Sequence, residues 1–177
     1  MYRIDILLKQ KRQLFHTADL ALLWNIDNKN TLYTTIKRYI KKGILIPIHK
    51  GFYSTVPINQ IDSYKIIQGA LHRFCYISCE TVLFDHGAIF QKGNYMTVIS
   101  NVTEKKNIEN QLYLIRKLKD DYLYNDRGID IIGGVAIASL ERAVVDILYF
   151  NPNYYFDNRK VINWKKVKEI QKEVGYL

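Results

Sequence analysis

The chain is poor in most of the features that classify a protein quickly. It has only two cysteines, Cys75 and Cys79, too few for a disulfide scaffold. They stand four apart with no second Cys pair and no matching His pair, so they read as core thiols rather than metal ligands. Three prolines and nine glycines leave no linker-like or repetitive stretch. No segment approaches the roughly 18 apolar residues of a membrane span. The opening MYRIDILLKQKRQ has no apolar leader core, so a cytoplasmic protein with reduced thiols is expected. There is no Walker loop and no G-x-G-x-x-G, and Gly133-Gly134 is an isolated pair that reads as a turn. No cofactor, no metal and no membrane contact are therefore expected.

Hydrophobic residues and positive charge are plentiful. A hydrophobic fraction of 48% with 14 Tyr is the composition of a folded protein. The net charge of +9 is unevenly placed. Residues 1–57 carry ten Lys and Arg against three Asp and Glu, a net of +7; residues 58–177 carry sixteen against fourteen, a net of +2. That asymmetry implies a polyanion-binding module joined to a near-neutral one. A membrane-surface helix would need bulky apolar residues on its basic segment. Nucleic acid is the better partner.

Periodicity places the charge. Residues 2–10 read as a helix with Ile4, Leu7 and Leu8 on one face. A second helix follows, with Thr17 as N-cap, Asp19 in its first turn and Leu20, Leu23 and Trp24 at i, i+3, i+4. After the turn NIDNKN, Asn30 or Thr31 can cap a third helix whose inward stripe is Leu32, Ile36, Tyr39 and Ile40. Its outer face carries Lys29, Asn30, Thr31, Tyr33, Thr34, Lys37, Arg38 and Lys41, and Gly43 ends it in a left-handed turn. Lys37 and Lys41 at i, i+4 repel one another unless a phosphate lies between them. Residues 44–56 then read as strand, a tight turn at Lys50-Gly51, and strand, with Pro47 tolerated at an edge. Two short helices and a hairpin in this order predict a winged helix-turn-helix over residues 1–57. The candidate duplex-DNA contacts are the outer residues of the third helix together with Lys50, Gly51 and Tyr53. Tyr33 and Tyr53 either pack or touch the DNA backbone.

Residues 58–177 alternate strands and helices and predict an α+β, two-layer domain. Asp62 opens a helix with Ile66, Ile67, Ala70 and Leu71 inward; residues 74–77, 94–101, 111–118 and 135–138 read as strands. Ser78 is expected to cap a short helix closed by Gly87, and Ser139 the clearest helix, with Leu140, Ala143, Val144, Ile147 and Leu148 along one stripe. Asn163 or Trp164 starts the last helix. Catalytic motifs are thin. His72, Arg73, Glu80, Asp85 and His86 could gather as an acid–base cluster, but a histidine before a helix-ending glycine is more often a C-cap. Arg142 and Asp146 at i, i+4 read as a buried pair, and Glu104-Lys105-Lys106 as a solvated loop. No enzyme is expected.

The segments TADLALLWNIDNKNTLYTTIKRYIKKGIL, HKGFYST, YISCETVLFDHGAI, ASLERAVVDILY and NPNYYFDNRKVINWKKVKEIQKEVGY, in that order, resemble the AbiEi-type antitoxins along nearly the whole chain. That resemblance implies a winged helix that represses its own operon, on residues 30–41 and 50–53. It also implies a domain over residues 62–177 that counters a cognate nucleotidyltransferase toxin, not necessarily by touching it. Two copies pairing on operator DNA would fit the same picture. The family often has Thr-Pro before its Glu-Arg, where this chain has Ala138-Ser139-Leu140; Ser139 keeps the cap but the stiff proline is missing. No Gly-Ser…Asp-x-Asp constellation is present, so the chain is not itself the nucleotidyltransferase. The alternative is a stand-alone winged-helix regulator whose second domain senses a ligand or dimerises.

Overall fold

The computed structural model describes residues 2–176 and is mixed α+β, with a three-stranded and a six-stranded sheet. The chain forms two compact units, the first running through Ala70 and the second beginning at Leu71. The expected division at residue 57 therefore falls later. Charge is unaffected, since residues 58–70 add one acid, Asp62, and one base, Lys65.

The first unit contains α1 (Arg3–Leu8), β1 (Leu14–His16), α2 (Thr17–Trp24), α3 (Lys29–Lys41), β2 (Ile46–His49), β3 (Phe52–Ser54) and most of α4 (Ser63–Leu71). α1 is shorter than periodicity suggests: Leu7 is buried, but Leu8 faces solvent. The cap of α2 differs too. The His16 N–H donates to the Asp19 carboxylate (2.7 Å), while Thr17 is already the first helical residue. Asn28, not Asn30 or Thr31, caps α3, its side chain accepting from the Thr31 N–H at 3.0 Å. At the other end Gly43 (φ +69°) donates to Ile40 O and Ile44 to Tyr39 O, both 2.9 Å, which is a Schellman closure. Leu20, Trp24, Leu32, Ile36 and Tyr39 meet Leu7, Phe15 and Leu45 in one core.

The hairpin β2–β3 has a third strand. β1 pairs antiparallel with β3, giving the order β1-β3-β2. β3 is thus central and β2 is the edge, where Pro47 is tolerated. Gly69 of α4 explains the later unit boundary. A Cβ there would lie 2.8 Å from Phe52 Cζ and 3.3 Å from Leu14 Cδ1, so the bare glycine lets α4 press onto the sheet. The His16 Nε2–H donates to the Gly69 carbonyl at 2.7 Å.

The second unit carries β4 (Tyr76–Ile77), α5 (Glu80–Asp85), β5 (Tyr95–Ser100), β6 (Glu104–Ile108), β7 (Gln111–Lys117), α6 (Asp120–Leu123), β8 (Ile129–Ile132), β9 (Val135–Ala138), α7 (Leu140–Phe150) and α8 (Trp164–Val174). Its sheet runs β6-β7-β5-β4-β9-β8, with β5–β7 and β4–β9 parallel and the other pairs antiparallel. α7 packs on α5, α8 and β9. Glu104-Lys105-Lys106, expected as a loop, is an edge strand, and lysines on an edge discourage further pairing. The β6–β7 turn at Glu109-Asn110 and the β8–β9 turn at Gly133-Gly134 both have two consecutive positive φ angles, the requirement of two-residue hairpins. Ser139 and Asn163 cap α7 and α8 by accepting from the N–H groups of Arg142 (3.2 Å) and Lys166 (3.1 Å).

Arg142 and Asp146 form the fully buried pair that their spacing predicts, 2.9 Å apart. All five guanidinium donors are used: Nε–H on Asp146, Nη1 on the carbonyls of Asn125 and Arg127, Nη2 on Tyr76 OH and the Tyr122 carbonyl. Asp146 accepts in addition from Ser78 Oγ and Tyr176 OH, each at 2.7 Å. Ser78 therefore anchors this network instead of capping α5, as expected; Cys79 holds the cap position.

Candidate nucleic-acid interface

α3 is the element on which the basic residues converge. Its buried stripe, Leu32, Thr35, Ile36 and Tyr39, leaves the opposite side to solvent. On that side Asn30, Thr34, Lys37 and Lys41 follow i, i+4, i+7, i+11 and make one exposed ridge. Tyr33, half exposed, stands beside Lys37 at i+4. Thr31, Arg38 and Lys42 form a second exposed line along one flank. Lys29 is exposed in the first turn, and the Asn28 cap fixes where the ridge begins. Lys42 lies outside the expected set, although its i+4 spacing from Arg38 was visible in the sequence.

The electrostatics of this face are lopsided. Seven ion pairs join described residues, from Arg12–Asp19 to Lys166–Glu141, and none uses Lys29, Lys37, Arg38, Lys41, Lys42 or Lys50. Solvated lysines on ordinary helices are usually laced with acids at i±4. Here the acids are absent from α3 altogether. Arg38 is steadied by the ring of Tyr39, 5.5 Å from its guanidinium carbon.

The hairpin tip brings Lys50 and Gly51 to the surface of the same unit. Gly51 has φ +80°, and its carbonyl accepts from the Thr17 N–H at 2.9 Å, which ties the turn to the start of α2. Tyr53 does not join the surface. It is only 8% exposed and belongs to the core beneath α3, because β3 is a central strand with both faces covered. Gly51→Val is expected to weaken duplex-DNA binding about tenfold, while the positive φ costs roughly 1–2 kcal/mol of stability. Anisotropy titrations beside urea melts measure both, and unchanged affinity would remove the hairpin from the interface.

Glu80 and His86, two of the five side chains that could gather as an acid–base cluster, make contacts within the second unit. The Glu80 carboxylate accepts from Arg116 and from Thr97 Oγ1 at 3.0 Å. The His86 Nδ1–H donates to the Val82 carbonyl at 2.9 Å, at the C-cap of α5. Cys79 sits between β4 and α5 with φ +52° and ψ −135°, a strained strand-to-helix corner. Its thiol is fully buried, and burial pushes its pKa well above the ordinary value; burial likewise takes Cys75 to about 12. Both thiols are protonated at neutral pH and poor nucleophiles. Ellman's reagent at pH 8 should find almost no reactive thiol in the native chain and two in denaturant; a fast native thiol would contradict this burial. Among the described residues no three His, Cys, Asp or Glu side chains gather as a metal-holding group, and no helix is long and apolar enough to cross a membrane.

Compared with known proteins, the chain matches no family model and no curated protein.

Proposed function

We propose that the chain is a winged helix-turn-helix regulator that binds duplex DNA at the operator of its own operon, and that it acts as the antitoxin to a cognate nucleotidyltransferase toxin. The observation that carries the DNA half is the exposed face of α3, whose lysines and arginine have no carboxylate partner among the described residues. Uncompensated cations on one helix face are what phosphate contacts require. The order of α2, α3 and the hairpin supports a winged-helix arrangement, with α3 in the major groove and the Lys50-Gly51 turn on the flanking backbone. The ridge Asn30, Thr34, Lys37 and Lys41 reads bases in this arrangement. The antitoxin half is supported by the order of segments shared with AbiEi-type antitoxins, and by the near-neutral second unit, which suits a partner other than bare DNA.

The test is a salt series on duplex DNA taken from immediately upstream of the gene. With about four to six phosphates neutralised, log K should fall by ~0.9 per contact per unit of log salt. An unrelated duplex should bind more weakly with a similar slope. Binding that ignores salt would remove the DNA reading.

A further inference from the structure

We propose that the cleft between α1 and the C-terminal half of α3 is a phosphodiester-binding site that grips the DNA backbone beside the groove α3 occupies. The proposal rests on the DNA-binding reading and extends it to Arg3 and Lys42, which that reading leaves unused. The cleft has a volume of about 440 Å³ and is lined by Arg3, Arg38 and Lys42, with Tyr2 at its rim and Tyr39 and Ile44 among its walls. Three cations thus converge on one concavity, and no carboxylate among the described residues pairs with any of them. Such a cluster repels itself until an anion enters, and the apolar walls sharpen the field at the opening.

The site is preorganised by its packing. The Arg38 guanidinium lies over the Tyr39 ring. Tyr39 in turn meets the edge of Trp24, centroids 5.3 Å apart. The Trp24 indole N–H donates to the Arg3 carbonyl at 3.1 Å. This relay fixes the backbone of α1 relative to the flank of α3, so Arg3 and Arg38 face one space without any ligand to order them. Asp5, the acid of α1, is directed to the Tyr2 N–H at 3.2 Å instead of into the cation set.

Position decides which phosphate is meant. Arg38 and Lys42 lie on the flank of α3 toward α1, while Asn30, Thr34, Lys37 and Lys41 form the outermost ridge. When the ridge enters a groove, the flank meets the backbone bordering it. The geometry therefore makes Arg38 a phosphate contact and not a base reader, with Arg3 and Lys42 as its partners.

Full-length Arg3→Gln, Lys42→Gln and Lys9→Gln chains are titrated with the upstream duplex and an unrelated duplex across about 50–200 mM NaCl. Lys9 is an exposed cation next to α1 but outside the cleft, so it controls for net charge. Arg3→Gln and Lys42→Gln should each weaken both duplexes equally, by about five- to tenfold, as for one charge-assisted hydrogen bond. Each should also lower the salt slope by about one, with Lys9→Gln changing affinity less than about twofold. Arg3→Lys should restore the slope, which a folding defect would not permit. If Arg3→Gln and Lys42→Gln behave like Lys9→Gln while Lys37→Ala still weakens binding, the cleft is not a phosphate site and the DNA reading stands. If the unmodified chain shows no salt-dependent DNA binding, the DNA reading fails and the site with it.

Discussion

Asp146→Ala should strip the second unit of most of its stability, at a cost of about 3–5 kcal/mol, because it leaves the buried Arg142 guanidinium without its counter-charge. A domain of this size holds only roughly 5–15 kcal/mol in total, so the loss takes a large fraction of it. Removing the carboxylate also orphans the hydroxyls of Ser78 and Tyr176. Hydrogen exchange resolved by segment makes the measurement. Protection should collapse across β4, β9 and α7 while α3 keeps its own. Arg142→Met/Asp146→Leu, which removes both charges together, should recover much of the loss. A double variant as unstable as the single one would mean that the hydrogen bonds to Tyr76 and the three carbonyls matter more than the ion pair.

The same network sets an alkaline limit. Burial raises the pKa of both Tyr76 and Tyr176 well above the ordinary tyrosine value, with Asp146 adding to the effect. Both phenols keep their protons in the fold, while in the unfolded chain they ionise near pH ~10. Above that pH the unfolded state binds fewer protons than the native one, so stability falls as pH rises. Urea midpoints should begin to decline near pH ~8.5, where the buried Cys75 and Cys79 thiols ionise only in the unfolded chain, and fall more steeply beyond pH ~10 as the tyrosines join them; a rise beyond pH ~10 would contradict the burial of these rings.

Lys37→Ala/Arg38→Ala should lower affinity for the upstream duplex about 100-fold, at roughly tenfold for each charge-assisted contact. The salt slope should fall by about two if both residues meet phosphates, and by about one if Lys37 reads a base edge while Arg38 holds the backbone. Both side chains are exposed and have no carboxylate partner among the described residues, and Arg38 gives up only its stacking on Tyr39, so the urea midpoint should move by little. On the proposed antitoxin reading, the double variant should fail to repress the promoter upstream of its own gene but should still rescue growth of cells expressing the proposed nucleotidyltransferase toxin. That separation follows from the charge division, a net of +7 over residues 1–57 and +2 over the rest. Loss of rescue in a folded double variant would show that antitoxicity needs the DNA-binding unit, and would overturn the division of labour proposed here.

What the sequence determined by itself is what depends on near neighbours. The stripe and basic face of α3, the left-handed stop at Gly43, the cap at Ser139, the tight turn at Lys50-Gly51 and the Arg142–Asp146 pair are all legible. Each involves residues within about one helical turn or one tight turn of each other, where spacing alone fixes who meets whom. The tertiary structure decided the rest. Leu14–His16 lacks the length to read as a strand and becomes one only because β3 offers it an edge. Phe52 and Tyr53 break the alternation of a half-buried hairpin because α4 covers one face of β3 and the helical core the other. Of the two roles open to Tyr53, packing or contact with the DNA backbone, packing decides for the core, and Tyr53 leaves the set of candidate DNA contacts. Ser78 looked like a cap, yet its hydroxyl serves Asp146, 68 residues away. A buried charge recruits polar groups from any element that can reach it, since leaving it short of partners costs more than a missing cap. Such long-range competition is settled by packing, and no local pattern announces it.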